Sequence, residues 1–502
     1  MASQDLVASL CVSTSSVIPV PVSMTPGPGV HVLTPETEIS APPGPARAVA
    51  DSLAELLRPP TGFPLRIRPE AGDIALSLDG PGRLGPEGHL LEISEEGVRL
   101  RARTAAGLFR GVQTLRQLLP AAVESRDPCP GPWPVAGVRI EDGPRYPWRG
   151  VMLDVARHFF DVRAVKRFID HAVAYKINVL HLHLTDDQGW RLAIDRWPRL
   201  ADHGGGTEVG GGPGGHYSRR DFQEIVGYAG ARHMTVVPEI DVPGHTNAAL
   251  ASYAELNPGD RAPERYTGIE VGFSSLRADK EITYRFLDDV IREVAELTPG
   301  PYLHIGGDEA ESTDPADYSE FLTRAQRIVR AHGKTVVAWQ DAASSTLAPG
   351  TLVQYWRPAK GSEPDTRPAR AAVAQGARLI MSPADHAYLD LKYHPGTALG
   401  LDWAGCVEVR KSYSWDPAAL VDGVGEEHIA GVEAALWTET IAGDGDLDFM
   451  AFPRLPGIAE IGWSPAGHRV WESYAPRLAA HGRRWDAAGI AFYRSPQIDW
   501  PG

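Results

Sequence analysis

Residues 150–190 read GVMLDVARHFFDVRAVKRFIDHAVAYKINVLHLHLTDDQGW, and this stretch decides the fold. An apolar run at 150–155 gives way to a helical segment at 162–175, with Asp161 placed to cap its first turn, and then to a second apolar run at 179–184. Strand, helix, strand in that order is the signal of a parallel βα unit. Further strands are expected at 235–240, 302–305, 335–339, 352–356, 378–381 and 431–436. Helices are expected at 221–233, where Ser218 and Asp221 have capping spacing, and at 282–297, where Phe286, Val290, Ile291 and Val294 share one face. Eight such strands predict an α/β fold, a (β/α)₈ TIM barrel with long loops, over 147–502.

Upstream, 16–146 reads as a small α+β accessory domain. Short apolar runs at 65–67 and 74–78 alternate with Pro/Gly turns, and helices are expected at 46–57 and 105–119. Residues 1–15 are expected to form a disordered tail, and Asp5 stands where a signal peptide wants positive charge. No export signal is evident, and the sequence leaves the compartment unassigned. The 502 residues carry 49 Lys+Arg against 64 Asp+Glu, a formal charge of −15. That charge repels nucleic acid and anionic membrane surfaces, so neither is expected as a partner. No apolar run reaches the roughly 20 residues of a membrane-spanning helix. Three cysteines permit at most one disulfide and show no CxxC spacing.

Chemistry in such barrels sits at the C-terminal ends of the strands. Those ends supply Asp154 and Arg157, then Asp186, Asp187 and Trp190, then Glu239, Asp241 and His245. They go on to Asp308 and Glu309, Trp339 and Asp341, Tyr355 and Trp356, Asp385, Tyr388 and Asp390, and finally Trp437 and Glu439. Carboxylates serve as acids and bases, while aromatic faces stack on sugar rings, so the combination suits a small carbohydrate. A lone Trp after an apolar run is ordinarily core, and Arg157 could serve only to pair with Asp154. Three indoles at three strand ends beside carboxylates argue for a pocket instead. His181 and His183 have the i, i+2 spacing of metal-binding strands, but they precede the strand end and matching ligands elsewhere are not obvious. No metal and no cofactor are expected. The glycine-rich run 204–215 lacks any phosphate-binding motif and is expected to be a flexible rim loop. Arg219 and Arg220 read as a solvated helix start.

The centre is His304-Ile305-Gly306-Gly307-Asp308-Glu309-Ala310. The two glycines allow a sharp turn that lets both acids face one pocket. Neighbouring Cα atoms are only about 3.8 Å apart, so this pair is poorly placed to attack one sugar from opposite faces. One acid can protonate the leaving oxygen while the other supports charge beside the anomeric carbon. Burial and like charge are expected to raise one of the two pKa values.

The segments LDVARH (153–158), HLHLTDDQGW (181–190), PEIDVPGH (238–245), HIGGDEA (304–310) and LWTE (436–439) resemble the β-N-acetylhexosaminidases of glycoside hydrolase family 20, close to streptomycete-type members. The upstream domain, ending in GLFRGVQTL (107–115), looks like the accessory domain of that family. The resemblance implies an exo-acting retaining enzyme that removes terminal β-linked GlcNAc or GalNAc from an oligosaccharide or glycoconjugate. The substrate's own acetamide is the implied nucleophile, through an oxazolinium-like intermediate. It casts Glu309 as general acid and then base, and Asp308 as the partner of the acetamido N–H. Tyr388 would bond the acetamido oxygen, and Trp339, Trp356 and Trp437 would wall its pocket. Arg157 and Glu439 would hold ring hydroxyls, with Asp390 and Trp403 as further contacts, and Asp186 with His245 would tune the acid. The stretch 340–345 matches least well, leaving aglycone contacts open.

Three other readings compete with this one. A conventional two-carboxylate retaining β-glycosidase would use Glu309 with Glu439 or Asp341 as nucleophile. A silent sugar-binding protein is disfavoured because both central acids are present. A metal-dependent hydrolase would rest on His181 and His183.

Overall fold

The structure is a computed structural model describing residues 16–358 and 363–501; the tail expected at 1–15 lies outside the described residues. Packing divides the chain into two compact units. One holds the residues up to Arg145 with Val173–Lys176 and Phe452–Gly502, and the other holds Tyr146–Ala172 and Ile177–Ala451. Residues 452–502, expected with the barrel, therefore pack in the first unit.

The first unit is built on a mixed seven-stranded sheet of β1 (Ser23–Leu33), β2 (Ile39–Ser40), β3 (Ile67–Arg68), β4 (Ile74–Ser77), β5 (His89–Ser94), β6 (Gly97–Ala102) and β7 (Trp133–Asp142), in the order β1-β7-β5-β6-β4-β2-β3. Helix Ala105–Leu118 starts on a Thr104 side-chain cap and buries Leu108, Val112 and Leu115. Its other end explains where the C-terminal segment goes. Arg484 donates to the carbonyls of Arg116, Gln117 and Leu119 and pairs with Glu124 at 3.1 Å. A cation there satisfies carbonyls that the helix leaves orphaned and meets the negative end of its dipole.

The second unit is a closed parallel barrel. Its strands are β8 (Trp148–Asp154), β9 (Val179–His183), β10 (Thr235–Glu239), β11 (Tyr302–His304), β12 (Thr335–Trp339), β13 (Leu352–Tyr355), β14 (Arg378–Met381) and β15 (Ile429–Leu436), with β15 pairing back onto β8. Asp161 accepts the Ala164 N–H at 2.8 Å at the start of helix Val162–Val173, and Ser218 with Asp221 forms a full capping box on helix Arg219–Gly230. An apolar layer of Trp148, Val179, Val237, Val337, Leu352, Ile380 and Ala430 fills part of the barrel. The interior also contains a charged layer. Glu433 accepts from Trp148 Nε1 at 2.8 Å and Gln354 Nε2 at 2.9 Å, and it pairs with His181 at 2.9 Å. Gly150 makes room for it, since a Cβ there would lie 2.0 Å from Glu433 Oε2.

The glycine-rich run is pinned, contrary to the expected flexible rim loop. Arg191, fully buried, donates to the carbonyls of Val155, Ala156, Gly205, Thr207 and Gly215. The Val209 N–H in turn bonds the Arg157 carbonyl at 2.9 Å. One guanidinium thus fixes both the run and the chain leaving β8. Replacing it by Leu strands several buried carbonyls, at roughly 1–3 kcal/mol for each group that finds no water. Arg191→Leu is expected to lower the melting temperature by several degrees and to open 204–215 to protease. A variant matching wild type in both measurements would show that Arg191 is not the pin.

Candidate active site

The turn after β11 is left-handed at three residues: Gly306 (φ 64°), Gly307 (φ 98°) and Glu309 (φ 45°). Only glycine fits at 306, because a Cβ would lie 1.6 Å from Asp241 Oδ1. That same oxygen accepts the Gly307 N–H at 3.1 Å, and Tyr318 O–H donates to the Gly307 carbonyl. These contacts hold Glu309 in a conformation that costs a non-glycine residue of order 1 kcal/mol or more. As a result both neighbouring acids face one imidazole. His245 Nε2 lies 3.5 Å from Glu309 Oε2 and 3.8 Å from Asp308 Oδ2.

The acids differ in depth. The Asp308 side chain is 11% exposed and that of Glu309 31%, so Glu309 reaches the open side. Burial pushes Asp308 up to about 7, with Glu309, Glu239 and Asp341 adding to the rise and His245 opposing it. Behind them, His245 Nδ1 meets Asp186 Oδ1 at 3.1 Å, and Asp186 Oδ2 pairs with Arg157 Nη2 at 2.9 Å and with His183 Nε2 at 2.8 Å. Despite full burial, Arg157 and His245 hold Asp186 well below the ordinary carboxylate range. Asp186 and its neighbours in turn keep His245 protonated. Arg157 lies over the Trp437 ring at 4.8 Å and its Nη1 stands 3.6 Å from Asp154, so pairing with Asp154 is only part of its surroundings. Its Nε and Nη1 are buried and meet no hydrogen-bond partner among the described residues. The Glu439 carboxyl is raised by burial, with Arg157 pulling the other way.

The aromatic residues form a continuous wall. Trp339 and Trp437 have ring centroids 5.8 Å apart, Tyr388 lies 6.2 Å from Trp437, and Trp403 packs edge-on against Trp356 and Tyr388 at 6.0 Å each. Trp339, Trp356 and Tyr388 belong to one buried cluster, whereas Trp403 is 52% exposed and stands at the rim. The indole N–H groups are fixed by acids, Trp339 to Glu239 at 2.8 Å and Trp356 to Asp341 at 2.9 Å. Asp390, buried, accepts the Trp437 backbone N–H at 3.4 Å. Burial beside Asp308 and Asp390 raises the Tyr388 phenol well above its ordinary value, so it remains a donor.

Some strand-end residues lie elsewhere. Trp190 is core, its indole bonded to the Leu192 carbonyl and its ring against Phe286. Asp385 pairs with His386 at 2.9 Å, and Asp187 is taken by Ser274 and the Asn247 N–H. His181, Glu239 and His304 bring donor atoms within 4.8 Å of one another, a spacing a metal ion could use. Here, however, both ring nitrogens of His181 and of His183 face carboxylates, Glu433 and Glu239 for one, Asp186 and Glu239 for the other. Arg191 and the central role of Glu239 were not visible in the sequence, because neither sits in a pattern that marks its partners.

The model of the glycosyl hydrolase family 20 catalytic domain matches residues 146–318 and 312–466, and that of domain 2 of the same family matches 14–143. The chain belongs to glycosyl hydrolase family 20. It is therefore a glycoside hydrolase, of the β-hexosaminidase group. A β-N-acetylhexosaminidase of Cellulomonas fimi is 45% identical, with 97% of each chain covered. The family 20 β-N-acetylhexosaminidase structure from Streptomyces coelicolor A3(2) is 57% identical with a TM-score of 0.95, covering 97% of this chain and 99% of that one. A Streptomyces plicatus β-hexosaminidase variant, solved with its product GlcNAc, is 56% identical with a TM-score of 0.96, covering 97% and 98%.

Proposed function

We propose that this family 20 enzyme is an exo-acting, retaining β-N-acetylhexosaminidase that uses the substrate's acetamide as nucleophile. One observation carries the reading: Asp308 and Glu309 lie on the same imidazole, at 3.8 and 3.5 Å, and the Asp308 charge reaches Tyr388 of the buried aromatic cluster that holds Trp339 and Trp356. Successive residues of one turn that face the same imidazole approach a bound sugar from one side, whereas a two-carboxylate displacement needs acids on opposite faces of the ring. Asp308 and Glu309 can divide the work on one side of it.

In the first step the acetamido oxygen forms a bond to the anomeric carbon, the glycosidic C–O bond breaks, and Glu309 gives its proton to the departing oxygen. Asp308 accepts the acetamido N–H and stabilises the positive charge spreading over the oxazolinium ring. Tyr388 donates to the acetamido oxygen, and Trp339, Trp356 and Trp437 exclude water from it. In the second step Glu309 takes a proton from water as it adds to the anomeric carbon, restoring the acetamide with configuration retained. Arg157 and Glu439, with Asp390, are positioned for ring hydroxyls, and exposed Trp403 suits the aglycone side. The proposed substrates are terminal β-linked GlcNAc or GalNAc on short oligosaccharides, including chitin fragments, and on glycoconjugates. The GlcNAc product in the Streptomyces plicatus relative supports this class.

An aryl β-GlcNAc should turn over while the matching β-glucoside does not, and equal rates on the two would end the reading. Asp308 must be ionised to accept the amide N–H. With its pKa raised to about 7, the acid limb of kcat/KM is expected above the roughly 3.9 of an ordinary Asp, with activity falling below it. Asp308→Asn should lose about 10²–10³ in rate and abolish that limb; a near-wild-type variant would remove Asp308 from this role. Glu309→Gln should depress kcat/KM far more for a sugar leaving group than for an activated aryl one. Equal losses on both would mean that Glu309 is not the proton donor.

A further inference from the structure

The line of hydrogen bonds beneath the acids continues past every group given a role above. Glu239, fully buried at the end of β10, is its junction. Its Oε2 faces His183 Nδ1 at 2.5 Å and His181 Nε2 at 3.0 Å. Its Oε1 accepts the Trp339 indole N–H at 2.8 Å and lies 3.1 Å from His304 Nδ1, which itself accepts the Gly306 N–H at 3.0 Å. From His183 the line runs to Asp186 and on to His245 and the acids. One carboxylate therefore touches both the indole that walls the acetamido hollow and the imidazole that holds the support of the proton donor.

We propose that Glu239 is a positioning residue that sets the orientation of Trp339 and the charge of the Asp186–His245 pair together, so that one buried anion tunes both the acetamido pocket and the proton donor. The proposal rests on the reading of the site given above. Its physical basis is the matching of buried charge: an anion here is stable only with cationic donors, and those donors stay protonated only beside the anion. His181 and His183 are both held protonated in this way, and Glu239 is held well below the ordinary carboxylate range. The charged and titratable groups around the line are His181, His183 and Asp186 from β9 and its loop, and Asp154 and Arg157 after β8. Asp241 and His245 follow β10; His304, Asp308 and Glu309 come from β11 and its turn. Glu433 comes from β15, and Asp187 and Asp341 stand at the edges. Removing one negative charge from this set makes His245 give up its proton at lower pH.

Glu239→Gln keeps the size and an acceptor for Trp339 but removes the charge. It is expected to lower kcat/KM on a β-GlcNAc substrate by about 10–100-fold, the scale of a small misplacement. The basic limb of its profile should move down by about half a pH unit or more, as loss of a nearby buried charge requires. The loss should be larger for chitobiose than for an activated aryl glycoside. Glu239→Asp, which keeps the charge, should keep the wild-type limb even at a reduced rate. A Glu239→Gln profile superimposable on wild type, with equal losses on both substrates, would reduce Glu239 to a packing role and overturn the proposal. Should Glu239→Gln fail to fold, His183→Gln cuts the line while sparing the Glu239–Trp339 bond. It must shift the same limb with KM unchanged, and an unmoved limb would overturn the proposal equally. A wild-type enzyme that ignores the acetamido group would sink the reading of the site itself, whereas an acetamido-dependent wild type with silent variants sinks only the role of Glu239.

Discussion

A carboxylate placed inside a protein survives as an anion only when cations or several donors surround it. This barrel meets that constraint with a line of alternating acids and imidazoles, Glu433–His181–Glu239–His183–Asp186–His245, that ends on the turn bearing Asp308 and Glu309. Much of the site's shape depends on it. Gly150 is vacant of side chain because Glu433 fills the space, Trp339 is oriented by Glu239, and Arg157 is anchored by Asp186. An apolar interior would pack as densely, but it would offer no fixed charge beneath the acids.

The turn after β11 converts that support into a division of labour. Two glycines and a left-handed Glu309 bring successive acids, which would diverge along a strand, to the same histidine. Depth then separates them. Asp308 sits deeper, where burial raises its pKa, while Glu309 is the more exposed of the two. The indole wall lies on the buried side, which suits an uncharged amide better than a solvated ion.

The barrel was legible because each of its strands is an apolar run bounded by turns and its helices keep their period. The capping of helices Val162–Val173 and Arg219–Gly230 could be read from side chains within a few residues of each start. The first strand was not legible. Pro26 and Pro28 argue against a strand, and β1 accommodates them as a sheet edge whose register shifts between Pro26 and Val30. Trp190 shows the ambiguity of a strand-end indole, which looks the same in sequence whether it turns to a pocket or, as here, to Phe286. Part of the packing of 452–502 comes from Arg484, which meets a helix terminus hundreds of residues away.

What the sequence determined by itself is what short-range chemistry encodes: which segments are strands or helices, that glycines free the turn at 306–307, and that two acids and several indoles fall at strand ends. The tertiary structure alone decided who meets whom. Glu239 and Trp339 lie 100 positions apart and His181 and Glu433 lie 252 apart, and these pairs meet only because the sheet closes on itself and its register sets them side by side. Local torsional preference and polarity constrain a residue's own backbone, whereas the partner of a buried charge is chosen by closure of the whole barrel.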